Sequence, residues 1–181
     1  KEDKSAFPSD VNPFSNEGRV VRYLLERGLL DLYADGTFRG NLSISRAEAV
    51  KMLLAAGGYE LLPLKNRGAF PDIKEGSWEE PYALNAFAYG IAQGYPDGSF
   101  CAAQVVTHAE FVKMISLSFD LEQNLFIPYI DVQYNKWYTP YVGVADTYYF
   151  FLYEQDKFTP WLLMTRKEAV FALYQVLIAL E

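Results

Sequence analysis

A threefold internal repeat constrains the fold of this chain more than any other feature. Asp10, Asp72 and Asp131 open three copies of one pattern, which lie 62 and 59 residues apart. Each copy has an apolar run, a turn that ends in a phenylalanine, and a second apolar run. Self-similarity of this period indicates a repeat architecture, in which each unit buries its apolar face against its neighbours. We therefore predict a lead-in over 1–9 and repeats over 10–69, 70–126 and 127–181, all in one structural unit.

The second apolar run of each repeat begins with a helix-capping signature. The three signatures are Ser45-Arg46-Ala47-Glu48, Thr107-His108-Ala109-Glu110 and Thr165-Arg166-Lys167-Glu168. In such a capping box the hydroxyl and the glutamate each accept a hydrogen bond from a free N–H group at the helix start. Helical spacing also marks the first run of each repeat, which in repeat one predicts a helix over 16–28.

The three copies predict six helices and an all-α fold. Three helix pairs can bury their apolar faces either as a linear stack or closed about a pseudo-threefold axis, and periodicity does not choose between these. Repeat three departs from the others because Tyr149 stands where Gly28 and Gly90 would end the first helix. Its first helix is therefore predicted either to run on through 148–153 or to end differently. The phenylalanines after the turns, Phe38, Phe100 and Phe158, are predicted to be buried.

Composition excludes several classes of function. The net charge of −7 argues against a nucleic-acid partner, which would need basic faces. The chain has one Cys and one His, so the residues for a metal site or a catalytic triad are lacking. No apolar run approaches the roughly 18 residues of a membrane span, and we predict no membrane insertion. We therefore expect neither an enzyme nor a bound cofactor.

Arg46 and Arg166 occupy the first position of a capped helix, where a cation opposes the helix dipole. Helix formation gives no reason for arginine there, whereas an anion binder would gain a guanidinium beside free N–H groups. We predict that both side chains point outward into clefts between repeats, so that alanine there would leave the melting temperature nearly unchanged. The alternative is that each arginine pairs with an acidic residue across a repeat junction. His108 fills the same position in repeat two, where a lone histidine is typically solvated.

Aromatic and Asp-Gly positions add further candidates. Trp78 and Trp137 stand six residues after Asp72 and Asp131, and each is predicted either to anchor a helix start or to face a ligand. The Asp-Gly pairs are strong turn signals, because Asp bonds nearby backbone and Gly takes positive φ. These pairs are Asp35-Gly36 and Asp97-Gly98.

Taken together, these motifs resemble the S-layer homology domain, usually found as three tandem copies. The family pattern runs F-x-D-I/V, Trp, a helix ending in Gly, G-Y-x-D-G-x-F, then I/V-T-R-A-E. Repeat two carries nearly all of it, in Phe70-Pro71-Asp72-Ile73, Trp78, Gly94 to Phe100 and Val106 to Glu110. Repeat one lacks the tryptophan and repeat three lacks the glycine turn. The resemblance extends from Phe7 to about Leu180.

This resemblance implies a three-pronged, pseudo-threefold spindle with one helix per repeat in a central bundle. It implies a cell-surface or cell-wall location, as in an S-layer, and grooves that bind a secondary cell-wall polysaccharide, commonly with pyruvate ketals. By position, the ligand residues it implies are Arg46, Arg166, His108, Trp78, Trp137, Asp35, Gly36, Asp97 and Gly98. Some relatives bind modified peptidoglycan instead, and an assembly module that binds a neighbouring envelope protein is a second hypothesis.

Overall fold

A computed structural model describes residues 7–151 and 156–181 and confirms the all-α class. These described residues form six helices: α1 (Asn16–Glu26), α2 (Arg46–Ala56), α3 (Glu80–Ala88), α4 (His108–Ser118), α5 (Thr139–Thr147) and α6 (Arg166–Leu180). Within those described ranges the only β pairing is three isolated bridges. Helix α5 ends at Thr147, so it does not run on through 148–153, of which 152–153 lie outside the described residues. None of the described helices is both long enough and apolar enough to span a membrane.

All three predicted capping boxes are formed. The hydroxyls of Ser45, Thr107 and Thr165 accept from the backbone of the glutamate three residues on. The glutamate carboxylates in turn accept from the capping residues' N–H groups at 2.8–2.9 Å. These caps fix where α2, α4 and α6 begin, and so place Arg46, His108 and Arg166 at equivalent points of the fold.

The helices pair across repeats. The first helix of a repeat packs on the second helix of the repeat before it, so that α3 packs on α2 and α5 packs on α4. Helix α1 completes the cycle by packing on α6. The hydroxyl of Tyr23 in α1 donates to Glu181, just after α6, at 2.6 Å. The first helix of each repeat thus packs against the second helix of a neighbouring repeat.

A ring of backbone hydrogen bonds joins the three copies just before their second helices. The N–H of Ile44 donates to Met164 at 2.9 Å, that of Met164 to Val106 at 2.8 Å, and that of Val106 to Ile44 at 3.1 Å. These three side chains are buried. The bonds close the repeats on one another, which a linear stack would not do. The three-pronged outline implied by the family resemblance stays a prediction.

The aspartate that opens each repeat holds the later turn of that repeat. Asp72 accepts from the backbone N–H groups of Phe100 at 2.8 Å and Cys101 at 2.7 Å. Asp10 and Asp131 make the same two bonds in their own repeats. The three turn phenylalanines are fully buried, as predicted. The residue after each of them has a left-handed backbone, with φ between 50° and 56° at Arg39, Cys101 and Thr159.

Candidate functional site

Three equivalent junctions form where a second helix begins beside the next repeat in the cycle. We name each one after the helix pair that borders it. The α2–α3 junction contains Arg166, Tyr33, Glu48, Lys51 and Trp78; the α4–α5 junction contains Arg46, Tyr95, Glu110, Lys113 and Trp137; the α6–α1 junction contains His108, Tyr149, Glu168, Phe171 and Asn16. Each predicted arginine thus shares a junction with one predicted tryptophan, Arg166 with Trp78 and Arg46 with Trp137, whereas the junction of His108 has Asn16 at the tryptophan position.

The Arg166 side chain is only 7% exposed, so the prediction of an outward arginine is wrong here. Its Nη1 lies 3.2 Å from Oε1 of Glu48, in the ion pair that was the alternative hypothesis. Its Nε and Nη2 donate to the carbonyl oxygens of Phe38 and Asp31 at 3.0 and 3.1 Å. The guanidinium carbon also lies 4.9 Å from the ring centre of Tyr33. The side chain is buried because repeat one folds its turn over it.

Arg46 is buried to the same degree, at 6% exposure, but it is held differently. Its Nη2 donates to the carbonyl of Gln93 at 3.1 Å, and its guanidinium carbon lies about 5 Å from the rings of Tyr95 and Phe100. Its Nε is buried and makes no hydrogen bond within the described residues. The Arg46 side chain therefore does not point outward, and no acidic partner for it is found among the described residues.

The glutamate of the α4–α5 junction is engaged by a tyrosine instead of an arginine. The hydroxyl of Tyr95 donates to Oε1 of Glu110 at 2.7 Å. Burial, together with this bond, raises the pKa of Tyr95 to about 12. The hydroxyl therefore stays protonated and neutral at physiological pH, and the arginine–glutamate pair of the α2–α3 junction is not repeated here.

His108 is fully buried, so the hypothesis of a solvated histidine is wrong. Its ring stacks on Phe151, with centres 4.7 Å apart and planes 25° from parallel. Nδ1 lies 3.3 Å from the carbonyl of Phe158, and Nε2 lies 3.6 Å from Oε2 of Glu168. Burial raises the pKa of the Glu168 carboxyl, but His108 and the bonds donated by Thr165 outweigh it and lower the pKa to about 2.

Trp78 and Trp137 are 51% and 48% exposed, so the interpretation that they are buried anchors is wrong. A lysine lies near each indole ring, with Nζ of Lys51 6.0 Å from the centre of Trp78 and Nζ of Lys113 5.6 Å from that of Trp137. Sequence reasoning missed both lysines. A signal was available, because each stands three residues after a capping glutamate. Their ligand role stays a prediction.

An open cavity of about 310 Å³ lies at the α2–α3 junction. Arg166, Glu48, Lys51, Tyr33 and Trp78 are among the residues that line it. Asp31 also lines it and holds Nζ of Lys51 at 2.7 Å. The wall of the cavity therefore holds two cations and a half-exposed indole, and two carboxylates balance the charges of the cations.

The Asp-Gly turns lie apart from this cluster. Asp35 accepts from the hydroxyl of Thr37 at 2.6 Å and from Arg39 at 2.7 Å, and these bonds hold its pKa well below the usual range. Asp97 likewise accepts from the hydroxyl of Ser99 at 2.6 Å. Both glycines have positive φ, 76° at Gly36 and 85° at Gly98. The four residues form the turns, and none of them lines the α2–α3 cavity.

Over 7–151 and 156–181, no three His, Cys, Asp or Glu side chains are grouped so that they could hold an ion.

Comparison with known proteins places the chain in a family. The family model described as the S-layer homology domain matches residues 9–50 and 69–112, which overlap the first two predicted repeats. The chain is 31% identical over 145 residues to the cellulosome-anchoring protein of Acetivibrio thermocellus, an alignment that covers 76% of this chain and 31% of that protein.

Two further relatives are surface proteins. Cell surface glycoprotein 1 of Acetivibrio thermocellus is 34% identical over 109 residues, covering 60% of this chain and 4% of that protein. The surface layer protein of Brevibacillus choshinensis is 30% identical over 99 residues, covering 54% and 9%. The chain thus spans less than a third of the length of each of these relatives. From the matched repeats and these relatives, the chain belongs to the S-layer homology domain family and is a cell-surface module.

Proposed function

We propose that this module anchors a larger protein to the cell envelope without catalysis, by binding an anionic cell-wall glycan. The ligand class is a secondary cell-wall polymer that bears acidic substituents such as pyruvate ketals, or modified peptidoglycan. Anchoring at the cell surface agrees with the family and with the names of the relatives. The glycan is our inference from the residues of the α2–α3 junction.

The observation that carries this proposal is the joint presence of Arg166, Lys51 and Trp78 around one open cavity. An indole that is half exposed offers an apolar face to a sugar ring. Lys51 lies beside that indole and pairs with Asp31, whose side chain is exposed, so a ligand acid can take the place of the Asp31 carboxylate. The buried Arg166 lies in the same wall, where Glu48 at 3.2 Å offsets part of its charge.

The experiment uses the exposed members of the site, because Arg166 also supports the fold. Trp78→Ala and Lys51→Ala are expected to reduce sedimentation with purified envelope by at least tenfold. Both side chains are partly exposed, so the melting temperature should stay within a few degrees. Lys74→Ala, which changes an exposed lysine that does not line the α2–α3 cavity, is the matched control. Sedimentation of both variants at the wild-type level would overturn the proposal.

A second candidate function is assembly with another envelope protein. Repeat three exposes a set of large apolar side chains: Ile130, Tyr134, Trp161, Leu162 and Leu163. Such side chains are typical of protein interfaces when they are contiguous. Saturable binding of the module to protein-free wall polymer would exclude assembly as its main role.

A further inference from the structure

The α6–α1 junction differs from the α2–α3 junction at the positions that would recognise an acid. The two junctions differ at four equivalent positions. The α2–α3 junction has Arg166, Lys51, Trp78 and Gly28, where the α6–α1 junction has His108, Phe171, Asn16 and Tyr149, in that order. The two cations of the α2–α3 set, Arg166 and Lys51, thus correspond to the ring side chains of His108 and Phe171. The glutamate is retained, as Glu168 in place of Glu48. The same place in the fold therefore presents a different surface.

This junction also holds the larger cavity, of about 600 Å³ against about 310 Å³ at the α2–α3 junction. Aromatic side chains and amides line much of it, among them Tyr149, Phe171, Tyr174, Asn16 and Gln175. Rings supply flat apolar faces, and amides supply both donors and acceptors of hydrogen bonds. A site of this composition suits a ligand that has an apolar face and a polar rim.

Tyr149 follows helix α5 at a position where repeats one and two have a glycine. It takes a left-handed backbone with φ of 53°, where Gly28 and Gly90 take 68° and 73° without strain. A residue with a Cβ atom in this conformation costs about 1 kcal/mol or more. The side chain is 71% exposed, so core packing offsets little of that cost. Residues kept in a strained conformation are concentrated at binding and catalytic sites.

The charged side chains that line this cavity are two cations and two carboxylates. Arg19 and Lys167 line it, as do Glu17 and Glu168. Arg19 donates to Oδ1 of Asn16 at 3.0 Å. Unlike Arg166 in the α2–α3 cavity, Arg19 is solvent-exposed and its charge is screened by water. Both cavities are thus lined by two cations and two carboxylates, and the α6–α1 cavity differs in that neither of its cations is a buried arginine.

We propose that the α6–α1 cavity binds an uncharged sugar unit of the wall polymer, while the acid-bearing unit binds at the α2–α3 junction. The Tyr149 ring would stack on the C–H face of the sugar, and Asn16 and Gln175 would bond its hydroxyl groups. This inference rests on the proposed function and divides the recognition of one polymer between two unlike grooves.

The test uses soluble fragments of the envelope polymer from which the acidic substituents have been removed, measured by isothermal titration calorimetry. The wild-type module is expected to bind these neutral fragments saturably. Tyr149→Gly, which keeps the left-handed backbone, is expected to weaken that binding at least tenfold, and Phe171→Lys likewise. Phe126→Ala, which removes an exposed aromatic side chain that lines neither cavity, is the matched control and should bind neutral fragments as the wild type does.

The outcomes separate this inference from the proposed function. Absence of saturable binding of neutral fragments to the wild type overturns the inference, as does unchanged binding by Tyr149→Gly. In either case, loss of envelope sedimentation by Trp78→Ala would still support anchoring through the α2–α3 junction. Thermal melts of each variant exclude unfolding as the cause of a lost signal.

Discussion

Replacement of Asp72 by alanine tests the aspartate–turn contact on which each repeat depends. The carboxylate accepts two backbone N–H bonds, at 2.8 Å from Phe100 and 2.7 Å from Cys101. Hydrogen bonds to a charged group contribute about 1.5–3 kcal/mol each, and the Cys101 bond is exposed, so it falls at the low end of that range. Allowing for water that replaces the lost acceptor, we expect a loss of about 2–3 kcal/mol. In a domain of this length that corresponds to a fall in Tm of about 4–12 °C.

The assay is urea unfolding followed by circular dichroism, with Asp97→Ala as the control in the same turn. Asp97 accepts its bonds from Ser99, two residues away in the same exposed turn, so its loss should cost less than about 1 kcal/mol. The midpoint of Asp72→Ala should fall with an unchanged m value, which indicates a loss of stability alone. If Asp72→Ala and Asp97→Ala unfold at the same urea concentration, the structural importance of the contact is refuted.

Three further predictions address the junctions. Tyr149→Gly should raise Tm by about 2–4 °C, because relief of the left-handed strain contributes up to about 1 kcal/mol, and a lower Tm would contradict the strain. Arg166→Ala should lower the unfolding free energy by about 2–3 kcal/mol in denaturant titrations, because Glu48 loses its partner, and an unchanged value would mean that the pair is dispensable. The folded-state pKa of Glu168, about 2, lies below its unfolded value, so its contribution is present above about pH 4.5 and is lost as the pH falls toward 2. The Tm difference between wild type and Glu168→Gln should therefore shrink from pH 5 to pH 2, and a constant difference would refute this assignment.

Local features of this fold were predictable from the sequence. The capping boxes and the apolar spacing behind them depend on residues within one helix, which is why all six helices were predicted. The burial of Phe38, Phe100 and Phe158 followed from their position after a turn. The aspartate–turn contact was missed, although a signal exists, since 28, 28 and 27 residues separate each aspartate from its phenylalanine.

The environment of Arg46, His108 and Arg166 was not predictable, because it is made by the next repeat in the cycle. A sequence shows that a cation stands at a helix start, but it does not show that the neighbour's rings and carbonyls cover that cation. The pairing of each first helix with the preceding repeat was hidden for the same reason. Exposure of Trp78 and Trp137 was left open by the sequence, since an aromatic residue at a helix start suits either environment.

Closure of the helix pairs into a cycle has a consequence for how such modules diversify. Each groove draws its walls from all three repeats, so a repeat moved alone into another protein carries only part of three recognition surfaces. A graft of one repeat would therefore disturb all three grooves at once. Exchange of binding preference between modules requires the three repeats to be transferred together, or the facing side chains to be changed in step.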